Sequence, residues 1–373
     1  MLKVFRYRVY PTKAQKTTMN NTLELCRWTY NETLALRKNA WESEQKNIGY
    51  YDSKKMIPEW KKEKPELKTI HSQVLQEIVK RVDLAFQAFF RRVKIGEKAG
   101  YPRFRGYGRY DSFTYTQSGF SLDSDKLSLS KIGDIKIKLH RPVEGEIKRL
   151  NVRKMPTGKW YVSFLVETDT PLELQKTGLS VGVDVGIKSF LTLSDGNCVP
   201  NPRFFVTEEK ALAKVQRKFS KLEKGTQERV KALKAVQRVH ERISNKREDF
   251  VQKVSLDLVR AYDLITFEDL NIKGMIKNHK LAKHIADVAW NKLVTITSYK
   301  AVWAGKRVEL VNPCNTSQMC SGCGEIVKKE LSERIHSCPY CGLTLDRDHN
   351  AAINILRLGL QSLRITDRCP SLQ

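Results

Sequence analysis

Two kinds of residue cluster in this chain can do chemistry: a set of paired cysteines and a set of acids that follows them. Cys320-Ser-Gly-Cys323 and Cys338-Pro-Tyr-Cys341 are C-x2-C pairs separated by 14 residues. That spacing lets two short turns wrap one metal ion tetrahedrally, which unpaired core thiols would not need. Sulfur fills all four positions and leaves none open for water. The expectation is therefore one structural Zn2+ on Cys320, Cys323, Cys338 and Cys341 rather than a catalytic metal. Just past the second pair, Asp346-Arg347-Asp348 opens a helix-like stretch, His349-Asn350-Ala351-Ala352-Ile353-Asn354-Ile355.

Hydrolysis of a phosphodiester by two hard cations, roughly 3.5–4 Å apart, needs carboxylates that converge from separate elements. Three acids are candidates. Asp184 stands near the end of an apolar strand in Val181-Gly182-Val183-Asp184-Val185-Gly186, Glu268 ends a second strand, Leu264–Glu268, and Asp348 begins the last helix. An acid on a first strand, another on a fourth and an Asp on a final helix is how RNase H-like nucleases build their metal site. A single carboxylate is more often a cap or a surface charge, and Asp348 alone would fit a helix N-cap; order and context favour the set. Asp346 is the rival to Asp348, while Asp195, Asp263 and Asp269 flank the group. Asn350 and Asn354, one turn apart, are expected to orient the acids. The chain has no phosphate-binding G-x-x-x-x-G-K-[ST] loop, no H-E-x-x-H and no G-x-S-x-G, which disfavours an NTPase, a zinc protease and a serine hydrolase. Its histidines lack ligand spacing.

A chain of 373 residues is long for a single core and predicts two or three folded units. Its 67 Lys+Arg against 41 Asp+Glu leave a formal charge of +26, spread along most segments. Such a field favours a polyanion, and 13 Tyr, 14 Phe and 6 Trp among the cations suit stacking on bases. The opening residues lack the apolar core of a signal peptide, and no stretch approaches the ~20 uncharged residues of a membrane span. Cys26, Cys198, Cys314 and Cys369 are scattered, a pattern of a reducing compartment. These features predict a soluble, intracellular protein with no membrane partner.

The elements that must carry these groups read as follows. Residues 2 to 10 alternate as a strand with one basic face, ended by Pro11-Thr12; Thr12 and Gln15 form a capping-box pattern before a long helix. A second apolar stripe, Leu75 to Val93, has Lys80, Arg81, Arg91 and Arg92 off it, a basic face able to clamp a phosphate backbone. Aromatic-basic runs at Tyr101–Arg105 and Ser112–Thr116, alternation at Ile135–Leu139 and a Pro156-Thr157-Gly158 turn predict a small antiparallel barrel completed by residues 2 to 10, with the helical pair inserted. Leu179–Val183 and Ser189–Ser194 read as two strands, residues 207 to 262 as charge-dense helix capped at Thr207, and a helix from about Asp287 to Trp303 separates strands Leu264–Phe267 and Arg307–Val311. Whether the cations of 207 to 262 meet solvent or backbone phosphate stays open.

Together, Val183-Asp184-Val185-Gly186, Phe267-Glu268-Asp269-Leu270, Asn315-Thr316-Ser317-Gln318 and Asp346 to Asn354 closely resemble the TnpB family, with Tyr7–Thr12 and Tyr101–Phe104 extending the likeness toward the start. These are transposon-encoded, RNA-guided nucleases related to type V CRISPR effectors. The resemblance implies a multidomain α/β and α+β protein: a wedge β-barrel (1–10 and 98–172), a helical recognition insertion (11–97), an RNase H-like (RuvC) nuclease domain (176–313 and 345–373) and a zinc ribbon (314–344). It implies catalytic acids at Asp184, Glu268 and Asp348 with Mg2+ or Mn2+, a guide RNA made from the transposon end, and double-stranded target DNA chosen by pairing beside a short motif. It further implies a prokaryotic cytoplasm, at the nucleoid when bound to DNA. Arg103, Arg105, Arg109 and Tyr115 are the expected nucleic-acid contacts. Cys314, where a non-Cys residue is usual, and Gln252, where His is frequent, depart from the pattern without touching the acids. An RNA-guided repressor without cleavage, and an RNA-independent transposase or resolvase on the same fold, are the alternatives.

Overall fold

The computed structural model describes residues 1–168, 174–275, 289–330 and 333–368. The chain divides into two compact units, Met1–Thr170 and Pro171–Gln373. None of the described helices is long and apolar enough to cross a membrane.

In the first unit, strand β1 (Leu2–Tyr10) alternates buried Phe5, Tyr7 and Val9 with outward Arg6 and Arg8, as a period of two requires. Helix α1 (Lys13–Glu44) starts at the predicted capping box: Gln15 N donates to Thr12 Oγ1 (3.3 Å) and Thr12 N to Gln15 Oε1 (2.9 Å). The chain then forms α2 (Tyr50–Lys55), α3 (Ile57–Glu63) and a 3-10 turn at Pro65–Thr69, followed by α4 (Ser72–Lys94). Six more strands follow, β2 (Ser112–Tyr115), β3 (Phe120–Asp123), β4 (Lys126–Leu129), β5 (Gly133–Lys138), β6 (Glu146–Lys154) and β7 (Trp160–Glu167). They join β1 in one antiparallel sheet of order β2-β6-β7-β1-β5-β4-β3. No ladder among the described residues closes the sheet. Its edges are drawn together by side chains: Tyr115 of β2 sits 6.4 Å from Phe120 of β3, and its hydroxyl donates to Ser130 O (2.9 Å). The β6–β7 turn is the predicted one, with Gly158 at φ +83°.

Helices and sheet share one core, in which Leu23, Cys26 and Tyr30 of α1 and Val74 to Phe86 of α4 meet Phe113, Val152 and Phe164. Arg81, expected on an outward basic face, turns inward instead. Its guanidinium donates to Ser112 O (2.9 Å) and Thr114 Oγ1 (2.7 Å) and so ties α4 to β2.

In the second unit, β8 (Ser180–Val185), β9 (Ser189–Leu193) and β10 (Cys198–Pro200) form an antiparallel meander. Helices α5 (Phe204–Lys221) and α6 (Gln227–Ala261) follow. Arg203 stands at the N-cap position of α5 without a side-chain cap bond, and Thr207 lies within the first turn rather than capping it. Next come β11 (Leu264–Glu268), α7 (Ile272–Met275), α8 (Trp290–Trp303) and β12 (Arg307–Val311). The predicted start of α8 at Asp287 falls outside the described residues. β11 lies parallel to both β8 and β12, so the sheet order is β10-β9-β8-β11-β12, or 3-2-1-4-5 counted within the unit. A two-stranded ribbon, β13 (Ile335–Ser337) with β14 (Thr344–Asp346), leads into α9 (Arg347–Arg368).

The sheet is covered on both faces. Val181, Val183, Ile265 and Phe267 pack with Val254 and Leu258 of α6 and Leu293 and Ile296 of α8. Residues of the other parity, Gly182 and Thr266, face α9: a Cβ on Gly182 would lie 2.1 Å from Ala352 O, and one on Gly359 would lie 2.2 Å from Thr266 Oγ1. Two missing side chains thus let this helix seat directly on the central strands.

Candidate active site and cysteine centre

Strand parity settles which way the acids point. Gly182 and Thr266 are register partners on neighbouring parallel strands. Asp184 and Glu268 come two residues later, so both side chains emerge on the α9 face, at the same end of strands ~4.8 Å apart. Helix α9 runs antiparallel to them. Its Ala352 sits over Gly182, and Asp348, one turn earlier, is carried toward Asp184. All three carboxylates are partly buried.

Their charges act on one another. Burial pushes the Asp184 carboxyl well above the usual carboxylate range, the nearby Glu268, Asp348 and Asp346 raise it further, and Arg347 opposes them. Burial also raises Glu268, with the Thr316 hydroxyl holding it back. Asp346 proves to be the cap: its Oδ1 accepts from Asp348 N (2.8 Å) and His349 N (3.4 Å). Asp348 is thereby not needed as the cap, and its carboxylate pairs with Arg347 (3.2 Å) and Arg334 (3.8 Å). A group of acids at one edge of a sheet, offset by Arg347 and Arg334, matches the donor set of a hard divalent cation. The acids are more loosely spaced than the cysteines: among the described residues, the group of metal donors drawn within 4.8 Å of one another is Cys320, Cys323, Cys338 and Cys341. Asp195 and Asp263 serve locally. Asp195 accepts from Tyr262 OH (2.6 Å), and Asp263 accepts from Thr177 N (2.9 Å) and Gly178 N (2.7 Å).

The cysteines sit on two equivalent turns. In each, the first Cys accepts at its carbonyl from the Gly four residues on (Gly324 N to Cys320 O, 2.9 Å; Gly342 N to Cys338 O, 3.0 Å). Both glycines are left-handed, at φ +87° and +74°. Sulfur separations of 3.6 Å, Cys320 to Cys341 and Cys323 to Cys338, fit a tetrahedron with Zn–S of about 2.3 Å, whose edge is ~3.8 Å. Burial disfavours a Cys320 thiolate, but backbone N–H donors from Cys323 and Gly322 and the His336 ring more than offset this and lower it, while at Cys323 and Cys341 a backbone N–H donor is outweighed by burial and the neighbouring sulfurs, which raise them. The quartet could hold zinc.

Asn350 and Asn354 are fully buried, yet they hold the cysteine turn rather than the acids. Asn350 Oδ1 accepts from Ser321 N (2.9 Å), and Asn354 Nδ2 donates to Thr316 O (2.9 Å) and Met319 O (2.6 Å). The link to the acids is Thr316, whose hydroxyl donates to Glu268 Oε1. The motif Asn315-Thr316-Ser317-Gln318 was visible in sequence, but nothing local disclosed this role.

The expected nucleic-acid contacts separate. Arg103, Arg105 and Arg109 are exposed, on the segment between α4 and β2. Tyr115 is 2% exposed, hydrogen-bonded and enclosed by Phe113, Phe120 and His71. It is a core residue that cannot stack on a base, because its β2 position turns the ring inward. Gln252 donates to Tyr299 OH (3.1 Å) and accepts at its carbonyl from Lys300 (2.6 Å), joining α6 to α8.

Comparison with known proteins agrees with this architecture. Over 96% of this chain and 92% of its own, the fold matches the structure of the mini-RNA-guided endonuclease CRISPR-Cas phi3, with a TM-score of 0.50 at 11% identity. At this identity the likeness is one of fold. Residues 163–279 match the family model "Probable transposase" and residues 290–355 the "Cas12f1-like, TNB domain". Residues 1–46 match a "Helix-turn-helix domain", though they fold as a strand and one long helix. A Streptomyces pristinaespiralis protein provisionally named RNA-guided DNA endonuclease is 37% identical over 96% of this chain and 89% of its own. The Escherichia coli K12 protein InsQ, of the same provisional name, is 32% identical over 96% and 92%. The chain belongs to the TnpB family.

Proposed function

We propose that the chain is an RNA-guided DNA endonuclease of a transposable element. In this reading Asp184, Glu268 and Asp348 hold two Mg2+ or Mn2+ ions, the four cysteines hold one structural Zn2+, and a guide RNA from the transposon end selects double-stranded DNA. One observation carries the catalytic part: the three acids share one face at one end of the central strands, and Asp184 bears the like charge of Glu268 and Asp348 there, opposed by Arg347. The 3-2-1-4-5 strand order supports an RNase H-like (RuvC) reading of the second unit. Bound cations would activate water and steady the leaving oxygen. The protein's own contribution is to keep the acids apart on separate elements, cap α9 with Asp346 so that Asp348 need not cap it, and limit water at Asp184. The charge of +26 supports a task of gripping backbone while pairing reads sequence. An intact set of acids disfavours the silent-repressor alternative.

The test is guided cleavage by Asp184→Ala, Glu268→Ala, Asp348→Ala and Asp346→Ala, with sequencing of RNA that co-purifies with the chain. The first three variants should lose cleavage while keeping target binding, and Asp346→Ala should retain part of the activity. Normal cutting by Asp348→Ala, or full activity in an RNA-free preparation, would refute the corresponding part.

A further inference from the structure

The cysteine centre and the acids are joined by a short chain of buried contacts that neither role requires. Asn315 adopts a left-handed conformation (φ +61°), and its carbonyl accepts from Gln318 N (3.0 Å) and Met319 N (2.8 Å), forming a turn directly ahead of Cys320. Thr316, 3% exposed, projects from this turn to Glu268. Its carbonyl is held by Asn354 Nδ2, which also grips Met319 O alongside Asn350 Nδ2 (2.8 Å). Glu268 ends β11, where the only side-chain hydrogen bond found for it among the described residues is the one from Thr316. A carboxylate at a strand end has free χ angles unless a neighbour fixes them, and groups that fix a ligand commonly matter 10–100-fold for metal affinity or activity.

Resting on the function proposed above, we infer that Thr316 is a positioning residue for Glu268, and that through Asn354 the turn bearing Cys320 sets the orientation of that carboxylate. The cysteine centre then helps to shape the cation site.

The experiment uses the full chain with its guide and two readouts: Mn2+ binding followed by EPR, which needs no cleavage, and the Mg2+ concentration giving half-maximal cleavage. Thr316→Val keeps the shape and removes the hydroxyl. It should weaken Mn2+ binding and raise the half-maximal Mg2+ by about tenfold, with zinc content and target affinity unchanged. Thr316→Ser should return both readouts to within about threefold of the parent, a rescue that a threonine acting through its methyl group would not show; the hydroxyl also lies 3.1 Å from Pro313 O, and loss of that bond alone would lower thermal stability without shifting the Mn2+ titration. Adding Asn354→Ala to Thr316→Val should bring little further shift, since linked residues are non-additive. Coincident metal titrations for Thr316→Val and the parent overturn the positioning role. Serine behaving like valine does the same, and fully additive shifts overturn the relay. A parent protein that binds no Mn2+ overturns this inference along with the metal reading, which separates the two failures.

Discussion

Replacing Gly182 with Ala adds one methyl group at the contact that places Asp348. That Cβ would meet Ala352 O at 2.1 Å and Leu356 N at 2.5 Å, both backbone atoms of α9 that no rotamer change can move, so reaching an ordinary 3.4 Å contact displaces the helix by about 1.3 Å. Overpacking of this kind costs about 1–3 kcal/mol, which for a unit of this size lowers Tm by roughly 2–12 °C. The effect on chemistry should exceed the effect on stability. Asp348 lies one turn from the contact, and a misplacement on the order of 1 Å costs roughly 10²-fold in rate. Gly359→Ala is the matched control. Its Cβ would meet the Thr266 side chain at 2.2 Å, so it strains the same helix, but at a point ~16 Å along the axis from Asp348. Guided cleavage under single-turnover conditions, alongside thermal unfolding, reads both effects. Gly182→Ala should lose on the order of 10²-fold in cleavage, and Gly359→Ala far less at a comparable Tm loss. Wild-type cleavage by a folded Gly182→Ala protein, or equal cleavage losses in the two variants, would refute the reasoning.

Other outcomes follow from the same geometry. Because the Asp184 carboxyl is raised in the folded state, its ionised form opposes folding once pH exceeds the ordinary value of 3.8, and increasingly so until its raised pKa is passed. In EDTA at neutral pH, Asp184→Asn should therefore melt above the parent, with the gap closing toward pH 4; a parent as stable as the variant at pH 7 contradicts this. Cys338→Ser should lose zinc, measured by metal content, and should lose cleavage as well, because the turn before Cys320 also carries Thr316; wild-type cleavage in the zinc-free variant would show that the centre is dispensable. Alanine at Arg103, Arg105 or Arg109 should each flatten the log–log salt dependence of target binding by ~0.9 if that side chain meets phosphate. Tyr115→Phe should cost about 1 kcal/mol of stability through the lost bond to Ser130 O and leave the salt slope unchanged, a pairing checked by thermal melts and binding titrations.

Features that depend on short-range order were legible in the sequence. The capping box at Thr12 and Gln15, the Pro156–Gly158 hairpin and the paired cysteine turns are closed by bonds between residues a few positions apart, so residue type and spacing suffice to determine them. The family resemblance, too, rests on contiguous motifs. The acids were legible only as candidates at strand ends and a helix start, since alternation reveals which residues share a face of a strand but not which helix covers that face.

Tertiary structure decided the rest. That Tyr115 is core and Arg81 an internal tie follows from β2 being an edge strand beneath α4, a pairing between residues some thirty positions apart. Asp346 as cap, and Asp348 as the acid left out of capping, depend on where α9 begins. The proximity of Asp184, Glu268 and Asp348 depends on β8 and β11 lying side by side and on α9 seating at Gly182, and Thr316 reaches Glu268 only because the intervening α8 and β12 return the chain to that strand end. Contacts of this kind form only when chain closure brings distant segments together, and the local pattern of residues contains no record of that closure.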